Sequence, residues 1–310
     1  LVFASSTAQT GELHFRADSI SSTTDTVFRI YYNGTTTGDY ADNATYGAEA
    51  VWSDYAAVWH MDDGTASDQL DSSSSGNTAV QNANGTDATG RLGQGLDFTG
   101  TGRYDLTTNI TNNSDRGFSL WYYKRGQGGG SFGSVFGSSD YNHGIRHLST
   151  DALNVRSGGT VQADTGALAN NDWYYVSFEW NGTSWSATTD GASANGGGTS
   201  WFGGDPTHLI GIAGDTTRAP DGILDEIRVG PARSLAWRAA EHLNQSTTTD
   251  FYTVGAQSSG PDGTITLTGT LYENDGITPI GAGRLVVAAV GTSTPSLHSA
   301  TTTASSTYEI

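Results

Sequence analysis

The runs Trp173-Tyr174-Tyr175-Val176-Ser177-Phe178-Glu179-Trp180 and Trp185-Ser186-Ala187-Thr188-Thr189 decide the fold of this 310-residue chain. Both are rich in aromatic and β-branched residues. The polar segment Asn181-Gly182-Thr183-Ser184 between them carries turn residues, so the pair reads as two strands. Outward from there, residues 56–61, 95–98, 104–106, 118–123, 134–136, 209–212 and 223–229 share this character and the same Gly, Asn, Asp and Ser punctuation. Many short strands separated by turns predict an all-β sandwich or barrel.

Composition points the same way. Hydrophobic residues make up 35% and charged residues 15%, with 42 Gly and 6 Pro, unlike a helical enzyme rich in Leu, Ala, Glu and Lys. The 8 Trp, 14 Tyr and 10 Phe supply the apolar area a core needs, which excludes a disordered chain. Lys and Arg number 14 against 32 Asp and Glu, a formal net charge of -18. That balance excludes nucleic acid as a partner and opposes anionic membrane surfaces. Cys is absent, so disulfides and thiolate metal sites are excluded. No apolar run of about 20 residues is present to span a membrane, and no signal peptide is visible. The chain opens on Leu1 without Met and stops at Ile310 inside a strand-like run, which predicts further segments beyond both ends.

Residues 1–52 read as the C-terminal part of a small β domain: 12–16 and 26–32 alternate apolar and polar, and Asn33-Gly34 is a turn signal. Residues 53–255 form the main block. Within it, residues 234–243 predict a short helix capped by Ser234, with Leu235, Ala239 and Leu243 on one face, packed over a sandwich edge. Residues 256–260 read as a linker. Residues 261–310 read as an incomplete Ig-like β domain, since 264–272 and 284–290 are strand-like but about 100 residues are usual for that fold. A half-sandwich exposes apolar edges, so more chain or a neighbouring subunit is expected to complete it.

Six pieces in order carry a resemblance. They are Val58-Trp59-His60-Met61-Asp62-Asp63 with Asp71-Ser72-Ser73-Ser74-Ser75-Gly76-Asn77; Gly93-Gln94-Gly95-Leu96-Asp97-Phe98-Thr99-Gly100; Phe118-Ser119-Leu120-Trp121-Tyr122-Tyr123; Trp173-Tyr174-Tyr175-Val176-Ser177-Phe178; Thr189-Asp190-Gly191; and Asp221-Gly222-Ile223-Leu224-Asp225-Glu226-Ile227-Arg228-Val229. Together they resemble the laminin G-like, concanavalin A-like lectin and glucanase superfamily. Tyr31-Tyr32-Asn33-Gly34 and Ala48-Glu49-Ala50-Val51-Trp52 look like the end of a small β domain of unknown function that often precedes it in bacterial and phage surface proteins. The resemblance implies a jelly-roll sandwich with flanking small β units, a structural calcium, and carbohydrate binding or adhesion.

Calcium takes hard oxygen ligands. The candidates are Asp71, Asn77 and Asp225, which the resemblance brings together because the family's first and last strands lie side by side; Asp62, Asp63 and Asp68 are additional. The competing reading of Asp71 and Asn77 is an ordinary Asx turn. Glycans need an aromatic plane and planar polar partners. Tyr141, Asn142, His143 and Arg146 in one inter-strand segment, and Trp201 in another, carry such groups, although Tyr141 and Trp201 read equally as caps on the core edge. A glycosidase needs two carboxylates about 5–10 Å apart. The Glu-x-Asp-x-x-Glu motif of the related glucanases is absent, Glu179 has no second acid at strand spacing, and Asp225 and Glu226 fall on opposite faces of a regular strand. The expected function is therefore a non-catalytic module that binds a glycan or polysaccharide, in an extracellular, cell-surface or virion-surface protein. The alternative is a structural subunit of a fibre, spike or filament that pairs with copies of itself or other fibre subunits by strand exchange.

Overall fold

The structure is a computed structural model that describes all residues except 1, 6–9, 18, 31–39, 84, 100–101, 107–115, 139–141, 202–207, 212–217, 248–250, 254–267, 271–284, 291–295, 302–306 and 310. The chain divides into two units, Leu1–Tyr252 and Thr253–Ile310.

The first unit begins with a hairpin of β1 (Val2–Ser5) and β2 (Thr10–Glu12), and a helical turn α1 (Ala48–Val51) follows. The strands of the sandwich come next: β3 (Ala57–Trp59), β4 (Ala79–Ala83), β5 (Thr86–Thr89), β6 (Gln94–Asp97), β7 (Arg103–Leu106), β8 (Arg116–Gly126), β9 (Phe132–Ser138), β10 (Gly144–Leu148), β11 (Ala152–Ser157), β12 (Thr160–Ala167), β13 (Asp172–Trp180), β14 (Trp185–Thr189), β15 (Ala192–Ser193), β16 (His208–Gly211) and β17 (Asp221–Gly230). Helix α2 (Leu235–Ser246) closes the unit. The second unit contains two antiparallel pairs, β18 (Thr268–Thr270) with β21 (Thr307–Glu309) and β19 (Leu285–Val290) with β20 (Ser296–Thr301).

The sandwich has a 7-stranded sheet, β12-β11-β10-β9-β16-β7-β4, and an 8-stranded sheet, β15-β14-β13-β8-β17-β6-β5. All their pairings are antiparallel. β3 pairs with β17, so the first and last strands lie side by side, as the resemblance implies.

Alternation explains the core. In β8, Phe118, Leu120 and Tyr122 face the other sheet, and in β13 Val176, Phe178 and Trp180 do the same. Each such side chain contributes about 1.5–3 kcal/mol by leaving water. Trp59 and Trp180 are in the core as the strand patterns predict. Trp121 is also buried, but on the outer face of its sheet, where its indole nitrogen donates to Gln245 of α2 at 2.5 Å. Trp173 is half-buried against Tyr123.

Segment 26–30 differs from expectation. It pairs with no strand, and Val27, Phe28 and Ile30 are exposed. Alternation gives a stable strand only where one of its faces finds a core.

Buried polar groups tie the two sheets and their loops. His147 on β10 faces Tyr122 on β8, 3.2 Å from its hydroxyl. Burial, helped by the Lys124 charge, pushes this imidazole down to about 4. The sole lysine, Lys124, is fully buried and donates to Asp151 at 2.9 Å and to Asn170, pinning two loops to β8. Amine-reactive reagents should therefore leave Lys124 unmodified in the native protein and label it after unfolding. Labelling of Lys124 by peptide mass spectrometry at the rate of a free amine would contradict this placement.

Candidate functional site

The two outer faces of the sandwich differ. On the 8-stranded sheet, Tyr175 and Glu179 of β13 and Arg228 of β17 point outward, and α2 lies over them. The helix docks with a polar face. Arg238 donates to Glu179 at 2.5 Å, to Glu241 at 2.8 Å and to the Tyr175 hydroxyl at 3.2 Å, and Arg228 donates to Glu241 at 2.5 Å. Ser234 caps the helix as predicted, its hydroxyl accepting from Trp237 N at 3.2 Å. The predicted apolar stripe is corrected: Leu235 and Leu243 are exposed, and Arg238 is the buried residue of the helix. The helix covers the face of the sheet rather than its edge.

This layer also settles the strand carboxylates. Glu179 is buried beneath α2 and accepts from Arg238 and from Arg233 N. Asp225 and Glu226 do not alternate. Leu224 and Ile227 are both in the core, and the β17–β8 register shifts between Asp225 and Arg228. That bulge, with Glu226 at φ 51, puts both acids on the outer side. Glu226 pairs with Arg228 on the same face, as the sequence predicts.

Asp71, Asn77 and Asp225 each serve the backbone. The Asp71 carboxylate accepts from Val58 N, Ser73 N, Ser73 Oγ and Asn77 N at 2.8–2.9 Å, organising its loop as an Asx turn does. Those four donors occupy the four lone-pair sites of a carboxylate, so a calcium ion here would have to displace them. The Asn77 amide donates to Ala56 O at 2.7 Å, and Asp225 Oδ2 accepts from Arg91 N at 2.7 Å and Leu92 N at 2.9 Å. Asp71 as it stands does not fit a calcium ligand.

No helix among the described residues covers the 7-stranded sheet. In β11, Leu153 and Val155 enter the core, so Ala152, Asn154 and Arg156 face outward. The register sets Asp164 opposite Asn154, Asn154 opposite Arg146, and Arg146 opposite Ser134. These four residues form one polar row across β12, β11, β10 and β9, with neighbouring Cβ atoms about 5 Å apart. At its β12–β11 end lies a cleft of about 230 Å³ lined by Leu148, Thr150, Ala152, Asn154, Val161 and Asp164, among others. Asn154 is fully buried on its floor, and neither its Oδ1 nor its Nδ2 has a hydrogen-bond partner among the described residues. An unpaired buried amide costs about 1–3 kcal/mol. Asp164 Oδ1 accepts from Gly166 N at 2.8 Å and Asn195 Nδ2 at 2.7 Å, which fixes the carboxylate at the rim. The Arg146 guanidinium lies 4.1 Å from the Phe132 ring centre and that of Arg218 4.7 Å.

Of the residues singled out from sequence, Arg146 belongs to this row. Asn142 and His143 sit where the chain enters β10: Asn142 O accepts from Gly159 N, and His143 O from Ser138 N. Tyr141 lies outside the described residues. Trp201 stacks on Trp185 at 5.3 Å and an interplanar angle of 15°, so its ring caps the core edge rather than standing out as a sugar platform. Asn154 and Asp164 escaped the sequence reading. The signal was the alternation in Ala152-Leu153-Asn154-Val155-Arg156, which marks a strand with a polar outer face.

The sequence matches no family model and no curated protein. Among solved structures, it is similar to domain 4 of AbnA, a GH43 extracellular arabinanase from Geobacillus stearothermophilus, in complex with arabinotriose. There the identity is 18%, the match covers 60% of this chain and 96% of that one, and the TM-score is 0.48. A Trypanosoma rangeli sialidase in complex with the inhibitor DANA matches at 16% identity over 62% of this chain and 33% of its own, with a TM-score of 0.46. The receptor-binding domain of botulinum neurotoxin mosaic serotype C/D matches at 12% identity over 62% and 51%, with a TM-score of 0.46. The chain thus spans a third of the sialidase and half of the toxin domain.

Proposed function

We propose that this chain is a non-catalytic carbohydrate-binding module of a protein displayed outside the cell, and that it holds its glycan in the cleft on the outer face of the 7-stranded sheet. The observation that carries the reading is the Asn154 amide, buried and unpaired on the cleft floor beside the Asp164 carboxylate. The Asp164 carboxylate at the rim accepts from sugar hydroxyls, and the Asn154 amide beneath the floor pairs with a hydroxyl once the entering ring displaces the side chains that close it from solvent. Leu148, Val161 and Ala152 supply aliphatic contact for the C–H face of a ring. The volume is below the ~300 Å³ at which pockets for drug-sized ligands begin, so it takes one ring or a chain end and leaves the rest of the glycan in solvent. Asp164 is the one carboxylate among the lining residues. Hydrolysis by two acids has no second partner there, which supports binding without turnover.

The test is a panel of neutral and acidic oligosaccharides, followed by calorimetry on the best ligand. Asn154→Ala and Asp164→Ala should each weaken binding at least tenfold, about 1.4 kcal/mol, with the melting temperature kept or raised for Asn154→Ala. Trp201→Ala should lower stability and leave affinity within about twofold. Unchanged affinity in both cleft variants, or release of reducing ends from the ligand, would overturn the reading.

A further inference from the structure

A second group of polar side chains gathers away from the cleft, where the segment before α1 meets the sandwich. His14 lies in that segment, His60 directly follows β3, and Glu226 sits on the β17 bulge. One ligand-type atom from each of the three lies within 4.8 Å of the other two. His60 Nδ1 is 2.6 Å from Glu226 Oε1, and the two imidazole rings have centres 4.8 Å apart.

Three further features bear on this group. Glu226 is held at φ 51, a left-handed conformation that costs a non-glycine residue about 1 kcal/mol or more and recurs at ligand sites. Arg228 takes the Oε2 atom of Glu226, leaving Oε1 toward the histidines. This is the outer support that orients a metal-ligating carboxylate. Trp52 flanks both imidazoles, at 5.4 Å from His14 and 5.7 Å from His60, and forms an apolar wall. The linked layer behind holds Glu179, Glu226 and Glu241 against Arg228 and Arg238.

We infer that His14, His60 and Glu226 form a zinc-type metal site that clamps the N-terminal segment to the sandwich. Two imidazole nitrogens and one carboxylate oxygen suit Zn²⁺, with water as a fourth ligand, and do not suit calcium or magnesium, which take oxygen sets. Bonds of about 2.0–2.1 Å put ligand atoms roughly 3.3 Å apart in a tetrahedron, so the His60–Glu226 pair widens by a small side-chain rotation as the ion enters and the three ligand atoms settle around it.

The test uses the whole chain and Zn²⁺ alone, titrated in competition with a chromophoric chelator. One equivalent should bind with micromolar or tighter affinity. His14→Ala, His60→Ala and Glu226→Gln should each weaken it at least tenfold, while His242→Ala should leave it unchanged. His14 lies in an irregular segment outside the core, so its variant keeps the fold. A second readout is tryptic cleavage after exposed Arg16, which Zn²⁺ should slow in the parent chain and not in His14→Ala. No zinc binding, or binding and protection that survive His14→Ala, would overturn the inference. Glycan affinity is read separately, and the inference stands or falls without it.

Discussion

Replacing Arg238 with alanine should destabilise the protein by about 3–5 kcal/mol, the cost of breaking a buried ion pair from one side. Arg238 is 1% exposed and donates to Glu179, Glu241 and the Tyr175 hydroxyl. Without it, two carboxylates remain in a dry layer. Burial already pushes the Glu179 carboxyl up despite its guanidinium partner. Burial acts on Glu241 too, but Arg238 and Arg228 outweigh it and hold that carboxyl below its usual value. The variant removes this support, so the Glu179 carboxyl, already raised, rises further, while Glu241 keeps Arg228 alone. The penalty is then full above the raised folded value, shrinks as pH falls from there toward the ordinary carboxylate range, and is gone below it. Urea unfolding at pH 7 and pH 4 should show the gap to the parent chain narrowing in acid. Arg238→Met combined with Glu179→Gln should recover part of the loss. A gap below 1 kcal/mol at pH 7 would mean that α2 is not held by this layer.

Asp71→Ala should cost about 3 kcal/mol, because the carboxylate holds Val58 N, Ser73 N and Asn77 N in one partly buried loop and charge-assisted bonds are the strong ones. Val58 belongs to β3 and Asn77 O accepts from the indole of Trp59, so the loop's loss reaches the core. The effect should be the same in excess calcium and in chelator, since the donors come from the chain itself. Thermal melts of the parent and the variant in both buffers check this. A parent chain that loses several degrees of melting temperature in chelator, with a variant that does not respond, would show that a calcium ion rather than the loop's own donors holds Asp71.

Most of the sandwich was legible because its central strands carry large apolar residues at every second position. Phe118, Leu120 and Tyr122 in β8 and Val176, Phe178 and Trp180 in β13 announce a buried face without any knowledge of partners. The sandwich strands the sequence reading passed over, β4, β5, β10, β11, β12 and β15, are shorter or polar on one side, and β5 contains no large apolar residue. Two of them hold Asn154 and Asp164, so the candidate site was hidden with its strands. α2 shows a different limit. Its cap was written in Ser234, but its inward face was set by what it met. The outer face of the 8-stranded sheet presents Tyr175, Glu179 and Arg228, so Arg238, Glu241 and Gln245 turned inward and Leu235 and Leu243 outward. The placing of Asp225 and Glu226 on opposite faces failed for a third reason. A bulge adds a residue to one strand and cancels alternation locally, and nothing in Leu224-Asp225-Glu226-Ile227 signals it.

Hydrogen exchange with and without a saturating oligosaccharide, taken from the panel that binds, tests the glycan-binding claim most directly. Strand β12 at the end of its sheet and the turn at 149–151 border the cleft, and their amides should exchange faster than those of β9 and β10 in the absence of ligand. Protection on binding should concentrate in these segments and in the ends of β10 and β11. Protection confined to α2 and β13–β14, with the cleft segments unchanged, would contradict it.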